Sequence, residues 1–291
     1  MALAEALPRA PRRRGYWGGV LHRVRRDPVA MVCAVILALL ILSAIFAPLL
    51  PLQDPYKASM IARLKPIGTP GHLLGTDEQG RDMLARLIYG GRLTLMIGLV
   101  PVVLAFFVGS TLGVVAGFVG GRTNTIIMRT VDVFFAFPSV LLAIAISGAL
   151  GAGVVNSLVS LTVVFIPPIA RVAESVTSGV RSADYIDAAR ATGGGALTIM
   201  RVHVIGNVLG PIFVYASSLT SVCMILAAGL SFLGVGVKPP EPEWGLMLNT
   251  LRTAIYINPM VAALPGAMIF ITSLCLNLLS DGLRSAMNVK D

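Results

Sequence analysis

Residues 184–207 read DYIDAARATGGGALTIMRVHVIGN. This is the longest polar segment between apolar blocks that also carries a helical pattern. Tyr185, Ile186, Ala188 and Ala189 form a compact apolar side, with Asp187 and Arg190 beside it. Ser182 or Asp184 is placed to cap the start, because such side chains accept from first-turn N–H groups. Gly193, Gly194 and Gly195 then permit positive φ and a sharp reversal. Leu197, Ile199, Met200 and residues 202–205 lead a second helical piece back towards the next apolar block. The pattern predicts an amphipathic helix–turn–helix set between two membrane spans.

The rest of the chain supports that setting. Of its 291 residues, 56% are hydrophobic and 13% charged, with a mean hydropathy of +0.83. A soluble domain carries about 25% charge, so the composition is that of a membrane protein. Six apolar blocks are expected to span: residues 29–50, 93–119, 131–150, 154–170, 209–233 and 261–279. The fourth should break near its end at Pro167 and Pro168. The first block is too long for a signal-peptide core and is expected to stay as a helix. Gly109, Gly113 and Gly117 recur every four residues, the spacing that lets two helices approach closely in lipid. The fold expected is all-α, with six transmembrane helices.

Six spans place both termini on one side. Fifteen of the 23 Lys and Arg lie in the two tails and in segments 120–130 and 171–208. Lysine and arginine accumulate on the cytoplasmic side, so both termini and the 184–207 stretch are expected there. The net charge of +9 is this bias and does not imply a nucleic-acid partner. The chain divides into a basic tail (1–28), a first span (29–50) and an external segment with an interfacial helix (51–92). A core of five spans (93–282), with the loop at 174–208 that holds the central stretch, and a short tail (283–291) follow. Beyond the bilayer, composition names no partner.

Several chemistries are excluded. A phosphate-cradling loop ends in Gly-Lys-Ser/Thr, but none of Lys57, Lys65, Lys238 and Lys290 follows a glycine. His22, His72 and His203 are isolated, so no zinc-protease pattern exists. Residues 229–232 (GLSF) lack a histidine base in the last two spans, which argues against a membrane serine protease. Cys33, Cys223 and Cys275 lie inside apolar blocks without metal or disulfide spacing. No metal, no cofactor and no catalytic residue are expected on this chain. No charged residue falls in the middle of a span, where ion- or proton-coupled carriers keep one. A secondary carrier or channel is therefore the distant alternative.

The central stretch resembles the EAA loop of ABC-transporter permeases, EAA-x3-G-x9-I-x-L-P. Asp187, Ala188, Ala189 and Gly193 fall in register, followed by His203, Ile205 and Gly206. Asp187 stands for Glu, His203 for the first Ile, and Gly206 for Pro. The histidine is usual in the peptide/nickel-type permeases. Four further stretches resemble the same subgroup: LGTDEQGRDMLARLIYGGRLTL (74–95), MRTVDVFFAFPSVLLAIAI (128–146), LSFLGVGVKPPEPEWGLML (230–248) and LPGAMIFITSLCLNLLSDGLRSAM (264–287). In order they cover residues 74–287 and resemble most the second permease subunit of dipeptide/oligopeptide importers.

That resemblance implies a type I importer permease and a non-catalytic subunit of the bacterial inner membrane. It implies pairing with a second permease subunit, two ATPase subunits that hold ATP and Mg, and an extracytoplasmic substrate-binding protein. Di- or oligopeptides are the implied cargo; nickel complexes, glutathione or opine-like solutes are the alternatives. Tyr185, Asp187, Ala188, Ala189, Arg190, Gly193, His203, Ile205 and Gly206 would couple to the ATPase. Asp77, Arg81, Asp82 and Trp244 would face the binding protein.

Overall fold

The computed structural model describes residues 16–287. Among them the chain is helical without strands, apart from isolated bridges in one loop. Arg9, Arg12, Arg13 and Arg14 of the basic tail, and Lys290, lie outside the described residues.

Helix α1 (Tyr16–Val24) leads into α2 (Pro28–Ile45). Asp27 caps α2: its Oδ1 accepts from Val29 N at 2.9 Å and Ala30 N at 3.2 Å, and Pro28 fits a first position that needs no donor. The 18 residues of α2 rise about 27 Å, close to the hydrocarbon thickness of a bilayer. Ala30, Cys33, Leu37 and Ala44 are buried at helical spacing, and Cys33 and Leu37 pack with Cys275 of α11 (Pro259–Met287). Nη1 of Arg23 donates to Ala286 O at 3.1 Å near the end of α11, where a cation is favourable. Helix α1 and the end of α11 thus meet at one end of the bundle, called the terminal end below.

Helix α3 (Met83–Val119) is the longest, 37 residues, and begins inside the segment expected to hold a separate interfacial helix. Asp82 caps it by accepting from Ala85 N at 2.8 Å. The glycine stripe lies against α6 (Val154–Arg181), which runs parallel to it. A Cβ at Gly109 would stand 2.9 Å from Ile166 O, one at Gly113 2.3 Å from Ala170 O, and one at Gly117 2.7 Å from Glu174 O. Only hydrogen at these three positions permits the two backbones to lie so close.

The third apolar block is not a straight span. Helix α4 (Gly121–Phe135) and α5 (Ser139–Leu150) meet at 86°. Counting this bent pair as one crossing, six helical units among the described residues are long and apolar enough to span. The expected loop at 120–130 belongs to α4. The cause of the bend is local: Pro138 offers no N–H and disfavours helix at Phe137. Polar residues then bind α4 to α6. Asn124 Nδ2 donates to Glu174 Oε1 at 2.7 Å, Arg171 pairs with Asp132, and the Arg171 guanidinium sits 5.0 Å from the Phe135 ring.

The break expected at Pro167 and Pro168 is absent, since α6 runs through both to Arg181. Prolines are tolerated in membrane helices where packed neighbours satisfy the freed carbonyls. The fifth crossing likewise begins earlier than expected. Helix α8 (Ala196–Ile199) passes through a π-turn at residues 200–204 into α9 (Ile205–Phe232). Cys223 and Cys275 are buried among apolar neighbours, as is Cys33.

Candidate functional site

Two regions carry the polar residues singled out in the sequence, one at each end of the bundle. At the terminal end, α7 (Asp184–Ala191) follows α6 after two residues. Neither Ser182 nor Asp184 caps it. Its N-cap is Ala183, without a side-chain bond, because the Ser182 hydroxyl turns back to Gly179 O at 3.0 Å and closes α6 instead. Ile186 is fully buried in the main core with Ile199 and Val204, and Ala189 packs against that core. This one-sided burial anchors α7 and leaves Asp184, Tyr185, Asp187, Ala188 and Arg190 exposed.

Gly193 ends α7. Its φ is +82°, its N–H donates to Arg190 O at 3.0 Å, and Gly194 N donates to Ala189 O at 3.1 Å. These two bonds form the left-handed cap that closes a helix with glycine just beyond its end. Gly193 therefore sets the direction of the returning chain and makes no side-chain contact surface of its own. The two arms are tied by Asn207, whose Nδ2 donates to Tyr185 Oη at 3.3 Å and to His203 O at 2.7 Å. His203, Ile205 and Gly206 lie on this returning arm, with Gly206 exposed and facing open space. Asp187 Oδ1 accepts from Arg190 Nη1 at 2.9 Å on the same helix. Their side chains are 68% and 44% exposed, so this pair contributes about 0–1 kcal/mol and leaves both charges open to another protein.

At the opposite end, the loops 51–82 and 233–258 fold over the start of α3. Asp77, Arg81, Asp82 and Trp244 are all buried here. Asp77 Oδ2 is 2.6 Å from Arg81 Nε and 3.2 Å from Arg86 Nε, and its Oδ1 accepts from Gln79 N and Arg81 N. Arg86 Nη1 donates to Pro55 O at 2.9 Å. His72 Nδ1 lies 3.0 Å from Asp82 Oδ2. The ionic groups are thus paired within the chain, with their side chains buried beneath the loops.

Trp244 fills the gap above α3. Its indole Nε1 donates to Leu87 O at 2.8 Å, and a Cβ at Gly90 or Gly91 would crowd its ring. Beside it stands Glu243, the buried N-cap of α10 (Trp244–Thr250). Its carboxylate accepts from Gly245 N and Leu246 N, both at 2.8 Å, and from Thr94 Oγ1 at 3.3 Å. Burial raises the Glu243 pKa above the ordinary carboxylate value, and the backbone donors only partly offset this. Burial, and then the Asp77 charge, raise Glu78 likewise.

Glu243 binds its proton more tightly folded than unfolded, so its contribution is fully present below the ordinary carboxylate range. It is lost as pH rises through the raised value. Thermal melting of the wild type should fall across that window, and Glu243→Gln should flatten this part of the pH profile.

Sequence reasoning missed Arg86 and Glu243. Arg86 was legible only as one of the cations of segment 51–92. The signal for Glu243 was an acid directly before a helix start, the capping position.

Comparison with known proteins bears on both ends. The family model described as "binding-protein-dependent transport system inner membrane component" matches residues 109–289. The "N-terminal TM domain of oligopeptide transport permease C" matches residues 15–66. The glutathione transport system permease protein of Pectobacterium atrosepticum is 39% identical over 274 residues, covering 94% of this chain and 91% of that protein. The di/tripeptide transport system permease protein of Pseudomonas aeruginosa is 40% identical over 280 residues, with the same two shares. The probable D,D-dipeptide transport system permease protein of Escherichia coli is 35% identical over 267 residues, covering 92% and 89%.

Proposed function

Because this chain belongs to the family of binding-protein-dependent transport system inner membrane components, and so is a multi-pass permease subunit of the type I importer fold, we propose that it imports di- or oligopeptides by coupling to a separate ATPase. The observation that carries this reading is α7. It is anchored by the buried Ile186 and presents Asp187, Ala188 and Arg190 to the outside. A second permease subunit completes the pathway, and two ATPase subunits holding ATP and Mg dock on the α7 hairpins. A binding protein delivers cargo to the loop end. Both termini lie in the cytoplasm, in accord with the distribution of Lys and Arg.

Mechanically, α7 joins α6 through Ser182 and Ala183, and α6 lies backbone-to-backbone on α3. Displacing α7 on ATP binding would move α6 and α3 as one body, the rigid-body form of switching. Arg190 already holds Asp187, so an ATPase cation would draw Asp187 away from it. Asp77, Arg81, Asp82 and Trp244 serve the binding protein indirectly, by shaping the loops above them. A glutathione cargo is the second reading, favoured by the similarity to permeases of that name. Both cargoes are small peptides with free carboxylates.

The test is purification of the full chain from its membrane. It should bring one further permease subunit and two ATPase subunits, and hydrolysis by that complex should rise with peptide-loaded binding protein. Isolation of a functional transporter lacking any ATPase subunit would contradict the proposal.

A further inference from the structure

Arg92 sits at the loop end of the membrane region, one helical turn after Ile88 on α3. Its Nε donates to Ala44 O at 2.5 Å and its Nη2 to Ile45 O at 2.8 Å, so it closes the C-terminus of α2. The guanidinium also lies 5.3 Å from the Tyr89 ring. The residue is exposed, and Nη1 makes no hydrogen bond among the described residues. The length of α2 fixes the depth. Its 18 residues cross about the thickness of the hydrocarbon core, so Ala44 and Ile45, and Arg92 with them, stand at the level of lipid headgroups.

Directly below Arg92 is a cleft of about 520 Å³ between α2, α3, α9 and α11. Its floor is buried, formed by Leu37, Ala44 and Met224, and its open side carries Ile41, Met96 and Leu99. From Leu37 to Ile45 it descends about 12 Å along α2, from headgroup level into the apolar region. A slot of this depth with a cation at its headgroup end suits a phospholipid of net negative headgroup, with an acyl chain in the cleft and its phosphate on Arg92.

We propose that the α2–α3–α9–α11 cleft is a binding site for an anionic phospholipid, held by Arg92 at the phosphate and by apolar contact along the chain. Selectivity comes from the net charge of the headgroup: in an anionic lipid no choline or ethanolamine cation neutralises the phosphate that Arg92 meets. The bound lipid would splint the single helix α2 to the core, because α2 otherwise meets the core along one narrow stripe.

The test is native mass spectrometry of the full chain, with the subunits it carries. The samples are taken from nanodiscs of equal parts dioleoyl phosphatidylglycerol and dioleoyl phosphatidylcholine. The wild type should retain lipid enriched in phosphatidylglycerol. Arg92→Gln should lower that enrichment about fivefold, the scale of one basic residue acting on anionic lipid. Leu99→Trp fills the cleft and leaves the Arg92 cap intact, so it should remove the retained lipid of both kinds. It also separates lipid loss from any instability of the Arg92 variant. Retention that ignores headgroup charge, or that is unchanged in Leu99→Trp, overturns the proposal. So does a wild type that holds no lipid because another subunit occupies the cleft.

Discussion

Replacing Gly113 with leucine is expected to leave little folded protein in the membrane. A Cβ there would already stand 2.3 Å from Ala170 O, 2.5 Å from Ala173 Cβ and 2.8 Å from Glu174 N. Two of these atoms are backbone of α6, which cannot retreat without parting the two helices over several turns. Gly109 and Gly117 hold the same seam one turn to either side. Overpacking a well-fitted interior costs about 1–3 kcal/mol, and more where backbone must move. In lipid no hydrophobic effect draws the helices back together, so close packing is what joins them. Gly113→Ala should already lower the melting temperature. Gly148→Ala, on α5 with no atom near its Cβ, should not. Membrane yield and thermal unfolding of the three variants are the readouts.

The second large effect is functional. Asp187→Arg is expected to abolish uptake while the protein remains in the membrane at normal level. The fold loses only a surface ion pair of about 0–1 kcal/mol. The docking surface, however, acquires two cations on one short helix where a partner cation is proposed to sit. Like charges set against each other at an interface cost several kcal/mol, and about 3 kcal/mol is a factor of a hundred or more in rate. Uptake and binding-protein-stimulated hydrolysis should fall together by that factor. Wild-type uptake in Asp187→Arg would remove this residue from the contact. Gly193→Leu should act differently, with no atom near its Cβ but a φ of +82° that leucine resists by about 1–2 kcal/mol. It should misdirect the hairpin, not clash with a partner.

These two residues also mark how far the sequence could be read. The short helix that carries Asp187 and the turn at Gly193 were legible because an amphipathic turn of helix and a glycine run coincide within a few residues. The glycine stripe was legible as a face, but its partner α6 was not, since contact between distant segments leaves no local period. The bend between α4 and α5 escaped because residues 133–135 and 139–150 are both apolar, and hydropathy does not register direction. Pro138 carried the signal there. Pro167 and Pro168 misled in the opposite sense, because packing on α3 and α9 overrides a local breaker. Asp77, Arg81 and Asp82 read as facing the binding protein from the resemblance. Their burial follows from mutual neutralisation with Arg86 and His72, which spacing does not reveal.

The central claim is that α7 is where an ATPase engages this chain. A single cysteine placed at the exposed Ala188, in a chain whose natural cysteines are buried, tests it most directly. Treated in native membranes with a short thiol crosslinker, the Ala188→Cys chain should yield one adduct with the ATPase subunit, and its amount should change between the nucleotide-free and ATP-bound states. Full uptake after the introduced thiol has been labelled with a bulky maleimide, with no adduct in either state, would contradict the account.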